Sequence, residues 1–264
     1  MIPKPYIAQW KEHAPWKEFA QIEQDLIISR ALVSLFKDEF LREKLAFCGG
    51  TALHKLYLNP ASRYSEDIDL VQIKEGAIGD IIDKIDEILD FFEIKKKVKQ
   101  TERSNTIIYR FNSEYEERPL KLKIEINCRE HFNILKLKEV DYQVNNKWFS
   151  GKAKVVTYDI NELLGSKLRA LYQRKKGRDL FDLFYASQNI TLNNDQLIKC
   201  YNEYIKVVVD TPPTKRLFLQ NIEEKETDTL FLGDIEGLLR PQIEYNPKDA
   251  FKWIKAELIE KMKE

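Results

Sequence analysis

The sequence predicts an α+β chain, mixed α/β over residues 1–158 and helical over residues 159–264. Three observations carry this. Residues 120–127 alternate strictly, with Leu122, Ile124 and Ile126 on one face and Lys121, Lys123, Glu125 and Asn127 on the other. Other short β-patterned runs stand among helical ones up to Tyr158. From Asp159 onward the pattern is helical and heavily charged, broken by Pro212-Pro213 and Pro241.

The elements follow in order. Over residues 16–45 Ile22, Leu26, Ala31, Leu35 and Phe36 mark one face, which predicts one or two amphipathic helices. Residues 44–48 read as a short strand and Gly49-Gly50 as a turn. Thr51 is placed to cap a helix whose apolar positions are Leu53, Leu56 and Tyr57. A loop over residues 59–64 delivers the chain to a strand at residues 67–70. Residues 80–92 read as a helix with Ile81, Ile85, Ile88, Leu89 and Phe92 inward, and residues 107–111 as a strand. Two short strands, residues 142–144 and 147–149, flank a hairpin turn at Asn145-Asn146, and residues 154–158 close the sheet. Asp159 and Glu162 suit a capping box for a helix reaching about Arg174. A second helix begins near Arg178, and Asn246-Pro247 opens the last one.

Composition excludes several classes. The chain has 264 residues, enough for one large domain or two ordinary ones. Lys+Arg and Asp+Glu are both 43, so no chain-wide basic field exists for nonspecific nucleic-acid binding. No apolar run approaches the roughly 18 residues of a membrane span. The start, Met1-Ile2-Pro3-Lys4-Pro5, has no apolar signal-peptide core. Cys48, Cys128 and Cys200 are scattered, which suits a reducing cytoplasm rather than a zinc or disulfide framework.

Ser65-Glu66-Asp67-Ile68-Asp69-Leu70 is the sharpest chemical signal. On a strand, Asp67 and Asp69 share a face roughly 7 Å apart at Cα, while Ile68 and Leu70 turn to a core. Mg²⁺ takes oxygen ligands and keeps part of its shell for substrate phosphates, so such a pair suits it; a solvated acidic edge strand is the structural alternative. Gly49-Gly50 before a helix start at Thr51 would let a phosphate approach free backbone N–H groups, or could be a plain hinge. Glu125 could join the aspartates from a neighbouring strand as a third carboxylate for two metals, or lie on a polar outer face.

Lys167 falls on the apolar stripe of its helix, with Leu163, Leu164, Leu168 and Leu171, where it either snorkels or meets an anion. In Arg178-Asp179-Leu180-Phe181-Asp182-Leu183, Asp179 flanks the apolar cluster and Asp182 lies opposite; either could pair with Arg174 or Arg178. Arg169, Arg174, Lys175, Lys176 and Arg178 form a local basic run, a solvated helix end or a steering patch for nucleic acid. The run Lys95-Lys96-Lys97-Val98-Lys99 reads as a solvated loop or strand start. His13, His54 and His131 lack metal-ligand spacing, and His54 reads as a surface residue within reach of a phosphate.

Taken in order, Gly49-Gly50-Thr51-Ala52-Leu53, Arg63 to Leu70, Lys123-Ile124-Glu125-Ile126-Asn127, Lys167-Leu168-Arg169-Ala170-Leu171 and Arg178 to Leu183 resemble the AbiEii/AbiGii toxin family of nucleotidyltransferases. That family includes the MenT toxins and lies within the DNA polymerase β-like superfamily. The resemblance implies a nucleotidyltransferase fold, a small mixed sheet flanked by helices over residues 1–158, followed by a helical C-terminal domain over residues 159–264. It implies that Ser65, Asp67 and Asp69 form the metal and triphosphate motif, that Lys167 contacts phosphates, and that Asp179 is the acid of the last motif, with Asp182 beside the nucleotide. It further implies Mg²⁺, with Mn²⁺ as a substitute, an NTP substrate, an RNA acceptor with the tRNA 3′ end first, and a cognate antitoxin in a cytoplasmic toxin-antitoxin or phage-defence system. Three rivals remain: NMP transfer to a protein hydroxyl, a non-catalytic NTP-binding module, and a glycosyltransferase with an Asp-x-Asp metal site.

Overall fold

The computed structural model describes residues 2–92, 96–101, 104–116 and 118–262, with the Phe92 side chain excepted. Phe92, expected inward, and Lys95, the first of the lysine run, therefore lie outside the described side chains. The chain divides into two units, Met1–Tyr158 and Asp159–Glu264.

The first unit opens with α1 (Lys4–Trp10), a helix with proline in its first turn that the sequence reading missed. Next come α2 (Phe19–Lys37), α3 (Glu39–Lys44) and β1 (Leu45–Cys48). α2 was expected to be amphipathic. It is instead buried nearly all round, and its polar residues are buried with partners. Glu23 accepts from Ser113 Oγ at 2.7 Å, Gln24 donates to the Lys121 carbonyl at 2.9 Å, and Asp25 accepts from Trp10 Nε1 at 2.9 Å. A buried polar group is tolerated only with such partners.

α4 (Gly49–Ala52) runs directly into a π-helical turn over Leu53–Tyr57. β2 (Asp67–Gln72), α5 (Gly79–Ile88), β3 (Lys96–Gln100), β4 (Ser104–Asn112), β5 (Pro119–Asn127), β6 (Lys138–Asn145) and β7 (Ser150–Thr157) follow, with a 3₁₀ turn over Asp90–Phe92. The strands make one mixed sheet in the order β3-β4-β5-β2-β1-β7-β6. β2 sits between β5, to which it is parallel, and β1, to which it is antiparallel. The residues of the Asp strand are thus held on both sides.

The β6–β7 hairpin differs from the expected two-residue turn. Asn146 Oδ1 accepts from Trp148 N at 2.9 Å and Asn146 N donates to Phe149 O at 3.1 Å, so residues 146–149 form the connection and not a strand. The Arg30 guanidinium lies 4.5 Å from the Trp148 ring centroid and 3.7 Å from that of Phe91, which seats Trp148 against α2.

In the second unit Asp159 caps α6 (Ile160–Gln173) by accepting from Asn161 N at 2.9 Å. The expected box partner, Glu162, is buried and accepts from Tyr204 Oη at 2.8 Å. α7 (Gly177–Asn189), α8 (Asn194–Lys206), α9 (Lys215–Glu226), α10 (Thr229–Gly233) and α11 (Pro247–Ile254) complete the unit, α11 continuing as a π turn over Lys255–Ile259. α6 and α8 approach at Gly165, where a Cβ would lie 2.6 Å from Cys200 Cβ.

Candidate active site

The polar face of β2 is built by register. Asp67 stands opposite Lys123 and Asp69 opposite Glu125 on β5. In-register neighbours share faces, so these four side chains lie together. Ile68, Leu70, Ile124 and Ile126 are buried on the other face. The alternation that the sequence displays therefore produces a core side and an acidic side.

Lys123 changes the electrostatics of that acidic side. Its Nζ lies 3.1 Å from Asp67 Oδ2 and 2.9 Å from Glu125 Oε2. Partial burial works against its charge, but Glu125 and Asp67 outweigh it and hold the ammonium above the usual lysine range. Asp67, Asp69 and Glu125 were expected to stand ready as an acidic triad. They do share a face, yet among the described residues no group of three or more His, Cys, Asp or Glu is placed to hold an ion. The Lys123 ammonium lies between Asp67 and Glu125. The donor set still fits a hard divalent cation: Asp67 Oδ1 is buried with no hydrogen-bond partner, and the Asp69 and Glu125 carboxylates share its face.

Gly49 is required for a reason that its sequence context does not show. Its φ is +75°, and a Cβ there would lie 2.2 Å from Asp69 Oδ2 and 3.0 Å from Asp69 Cβ. The Asp69 carboxylate is seated on the glycine backbone, a place no side-chain-bearing residue could leave open. Cys48 pairs with Asp69 across β1 and β2, which sets this contact. Gly50 is buried in the first turn of α4.

Thr51 does not cap the helix, which already begins at Gly49 with Cys48 as its N-cap. Its hydroxyl donates to the Asp67 carbonyl at 2.5 Å, so it ties α4 to the Asp strand. A hydroxyl has one proton; Ser65 Oγ, 2.8 Å away, is therefore the donor to Thr51 Oγ1. His54 is buried rather than on the surface, with Nδ1 3.3 Å from Ser62 Oγ.

The sequence reading missed the anchor of this segment. Lys55, in the π turn after α4, places Nζ 3.0 Å from Asp25 Oδ2, and both side chains are almost fully buried. Burial opposes its charge, while Asp25 and Tyr142 raise its pKa above the ordinary value. The available signal was an aspartate inside the apolar run of α2, which needs a partner if buried.

In the second unit Lys167 meets anions, as one of its two expected outcomes had it. Its Nζ lies 3.1 Å from Asp179 Oδ1 and 2.9 Å from Asp182 Oδ2. Asp182 was expected opposite the apolar cluster. It is as fully buried as Asp179, because α7 is covered on more than one side: Leu180, Phe181 and Leu183 are all buried too. Arg174 grips Asp179 with Nε at 2.7 Å and a terminal N at 2.9 Å. Burial pushes the Asp179 carboxyl up, but Lys167 and Arg174 outweigh it and hold it below the usual range.

Three more cations of the basic run are paired as well. Lys175 lies 2.9 Å from Asp228, Lys176 3.1 Å from Asp234 and Arg178 3.5 Å from Asp234. Lys225, also unforeseen, is buried and donates to the carbonyls of Leu171 and Tyr172 at the end of α6. Burial lowers its pKa to about 8.

Residues 30–257 match the family described as "Nucleotidyl transferase AbiEii toxin, Type IV TA system". Two solved structures share the fold. MenT4, a nucleotidyltransferase toxin from Mycobacterium tuberculosis H37Rv, is 17% identical with a TM-score of 0.69, over 100% of this chain and 91% of that one. JHP933 from Helicobacter pylori is 19% identical with a TM-score of 0.56, over 92% of this chain and 91% of that one. No curated protein matches the sequence.

Proposed function

The chain belongs to the AbiEii nucleotidyl transferase toxin family of type IV toxin-antitoxin systems, and on that premise we propose that it transfers an NMP group from an NTP to an RNA hydroxyl, the tRNA 3′ end first, with Mg²⁺ as its metal and the cytoplasm as its compartment. Membership itself brings a nucleotidyltransferase enzyme, an NTP substrate and a cognate antitoxin. Among the described residues no helix is long and apolar enough to cross a membrane.

The observation that carries the reading is Asp67 and Asp69 in register with Lys123 and Glu125, with Asp67 Oδ1 buried and unpartnered. Asp67 and Asp69 would hold the cation, and Glu125 would complete the site as ligand or accept the proton of the attacking hydroxyl. A divalent cation there neutralises phosphate charge and favours the alkoxide form of the attacking group. Gly49 and Gly50 N–H groups, Thr51 and Ser65 bind the triphosphate, Ser65 by turning its proton from Thr51 to a phosphate oxygen. Within the second unit, Lys167 has three N–H groups, of which Asp179 and Asp182 take two; the third is the one we assign to an anionic phosphate. The acceptor oxygen bonds to the α-phosphorus, the bond to the bridging oxygen breaks, and pyrophosphate leaves.

The test is purified protein with each α-labelled NTP and either tRNA or a protein fraction as acceptor. Asp67→Ala and Asp69→Ala are expected to abolish labelling; label transfer surviving in either variant overturns the assignment. One observation keeps a protein acceptor as the second reading: the cations at residues 174–176 and 178 all lie against Asp179, Asp228 or Asp234, which lessens the positive field this run offers RNA. Label that resists ribonuclease and yields to protease would establish that alternative.

A further inference from the structure

Lys123 is the feature of the acidic face that the proposed chemistry does not use. Its ammonium bridges Asp67 and Glu125 at 3.1 and 2.9 Å, the two carboxylates diagonal to each other across the β2–β5 pair. We propose that Lys123 is a resident counter-ion, which holds the carboxylates together before the divalent cation arrives and swings out when it binds. The inference rests on the metal reading above and adds to it a residue that sets the cation concentration at which the enzyme becomes competent.

Three observations support it. First, the face carries three carboxylates on two adjacent strands, and without a cation these repel. Lysine supplies one positive charge there; a divalent ion supplies two and then repels the ammonium. Second, the lysine is free to leave. Its side chain is 26% exposed, against 8% for Lys167, and its flexible stem reaches solvent from a β-strand. Third, the ammonium engages Asp67 through Oδ2 alone, while Oδ1 has no hydrogen-bond partner. The carboxylate is half engaged by the lysine, and the remaining oxygen is the one a metal would take first.

Mn²⁺ binding without nucleotide, read as loss of the free-ion electron paramagnetic resonance signal, tests this on the full chain. Lys123→Met removes two partly exposed ion pairs, so the variant is expected to bind Mn²⁺ roughly 5- to 25-fold more tightly than wild type. Lys123→Gln has the same expectation and stands in if the methionine variant does not fold. Equal or weaker binding in a folded variant overturns the inference. Asp67→Asn separates the two levels. Binding that is lost in Asp67→Asn but unchanged in the Lys123 variants refutes the counter-ion role alone. No binding in any form refutes the metal reading and the inference with it.

Discussion

Lys167→Met is the substitution whose consequence can be worked most directly. Lys167, Arg174, Asp179 and Asp182 form a balanced cluster of two positive and two negative groups, with Asp179 and Asp182 at 0% exposure and Lys167 at 8%. A buried ion pair contributes little net stability against a well-packed apolar replacement, because desolvation offsets attraction; removing one partner alone costs about 3–5 kcal/mol. Methionine keeps the stem volume and removes the charge, leaving two buried carboxylates against one guanidinium. The bidentate Arg174 grip on Asp179 places the expectation at the lower end, about 3 kcal/mol. Adding Asp182→Asn removes the excess charge and is expected to restore about 1–2 kcal/mol, without restoring nucleotidyl transfer. Urea denaturation at neutral pH measures both, with the slope held constant to confirm that only stability moved. The pH profile supplies a second check. Asp179 titrates below its unfolded value, so its stabilising effect is complete above the ordinary carboxylate pKa and is lost as pH falls through the lower folded value. In Lys167→Met that loss is expected to begin at a higher pH. A Lys167→Met protein within about 1 kcal/mol of wild type would refute the reasoning, since the cluster would then be neither dry nor coupled.

Two further outcomes are expected. Gly49→Ala places a methyl 2.2 Å from Asp69 Oδ2 at φ +75°, so it is expected to cost about 1–2 kcal/mol in backbone strain and to displace the carboxylate; a variant with wild-type transfer kinetics would remove Asp69 from the proposed metal set. Lys225, with its pKa lowered to about 8, is expected to make stability rise between pH 8 and 10.5, because the unfolded chain binds the extra proton over that window. The rise is roughly 3 kcal/mol at most, lessened by the acceptors at Leu171, Tyr172 and Asn221; it should be absent in Lys225→Met when urea midpoints are compared at pH 7.5 and 10.

The acidic face was legible because β-strands repeat every two residues: Asp67-Ile68-Asp69-Leu70 and the run ending in Glu125 each display their own two sides. What joins them was not legible. The β2–β5 pairing is a contact between segments some fifty residues apart, and only its register shows that Lys123 faces Asp67 while Glu125 faces Asp69. The glycines were legible as a break, but the reason for Gly49 is a carboxylate twenty residues further on. On α7 the helical-wheel argument placed Asp182 outward because it assumed one buried stripe; a helix covered on several sides has no such stripe. The β6–β7 connection failed for a local reason, since an asparagine side chain bonding to the backbone two residues ahead overrides the β pattern of Lys147-Trp148-Phe149.

Lys123 and Lys167 present the same arrangement at two burials. Each ammonium sits within about hydrogen-bond distance of two carboxylates, yet the Lys123 partners are 31% and 40% exposed whereas those of Lys167 are at 0%. Exposure decides what such a bridge can do. Where water can replace the lysine, breaking the bridge costs little and the site can exchange one cation for another. Where water cannot reach, the bridge is permanent and the lysine acts only through the direction in which its remaining N–H points. A neutral substitution should therefore have opposite signs at the two positions: tighter cation binding with little change in stability at residue 123, and lost stability with lost transfer at residue 167. The burial of their partners is what separates an exchangeable cation from a fixed one.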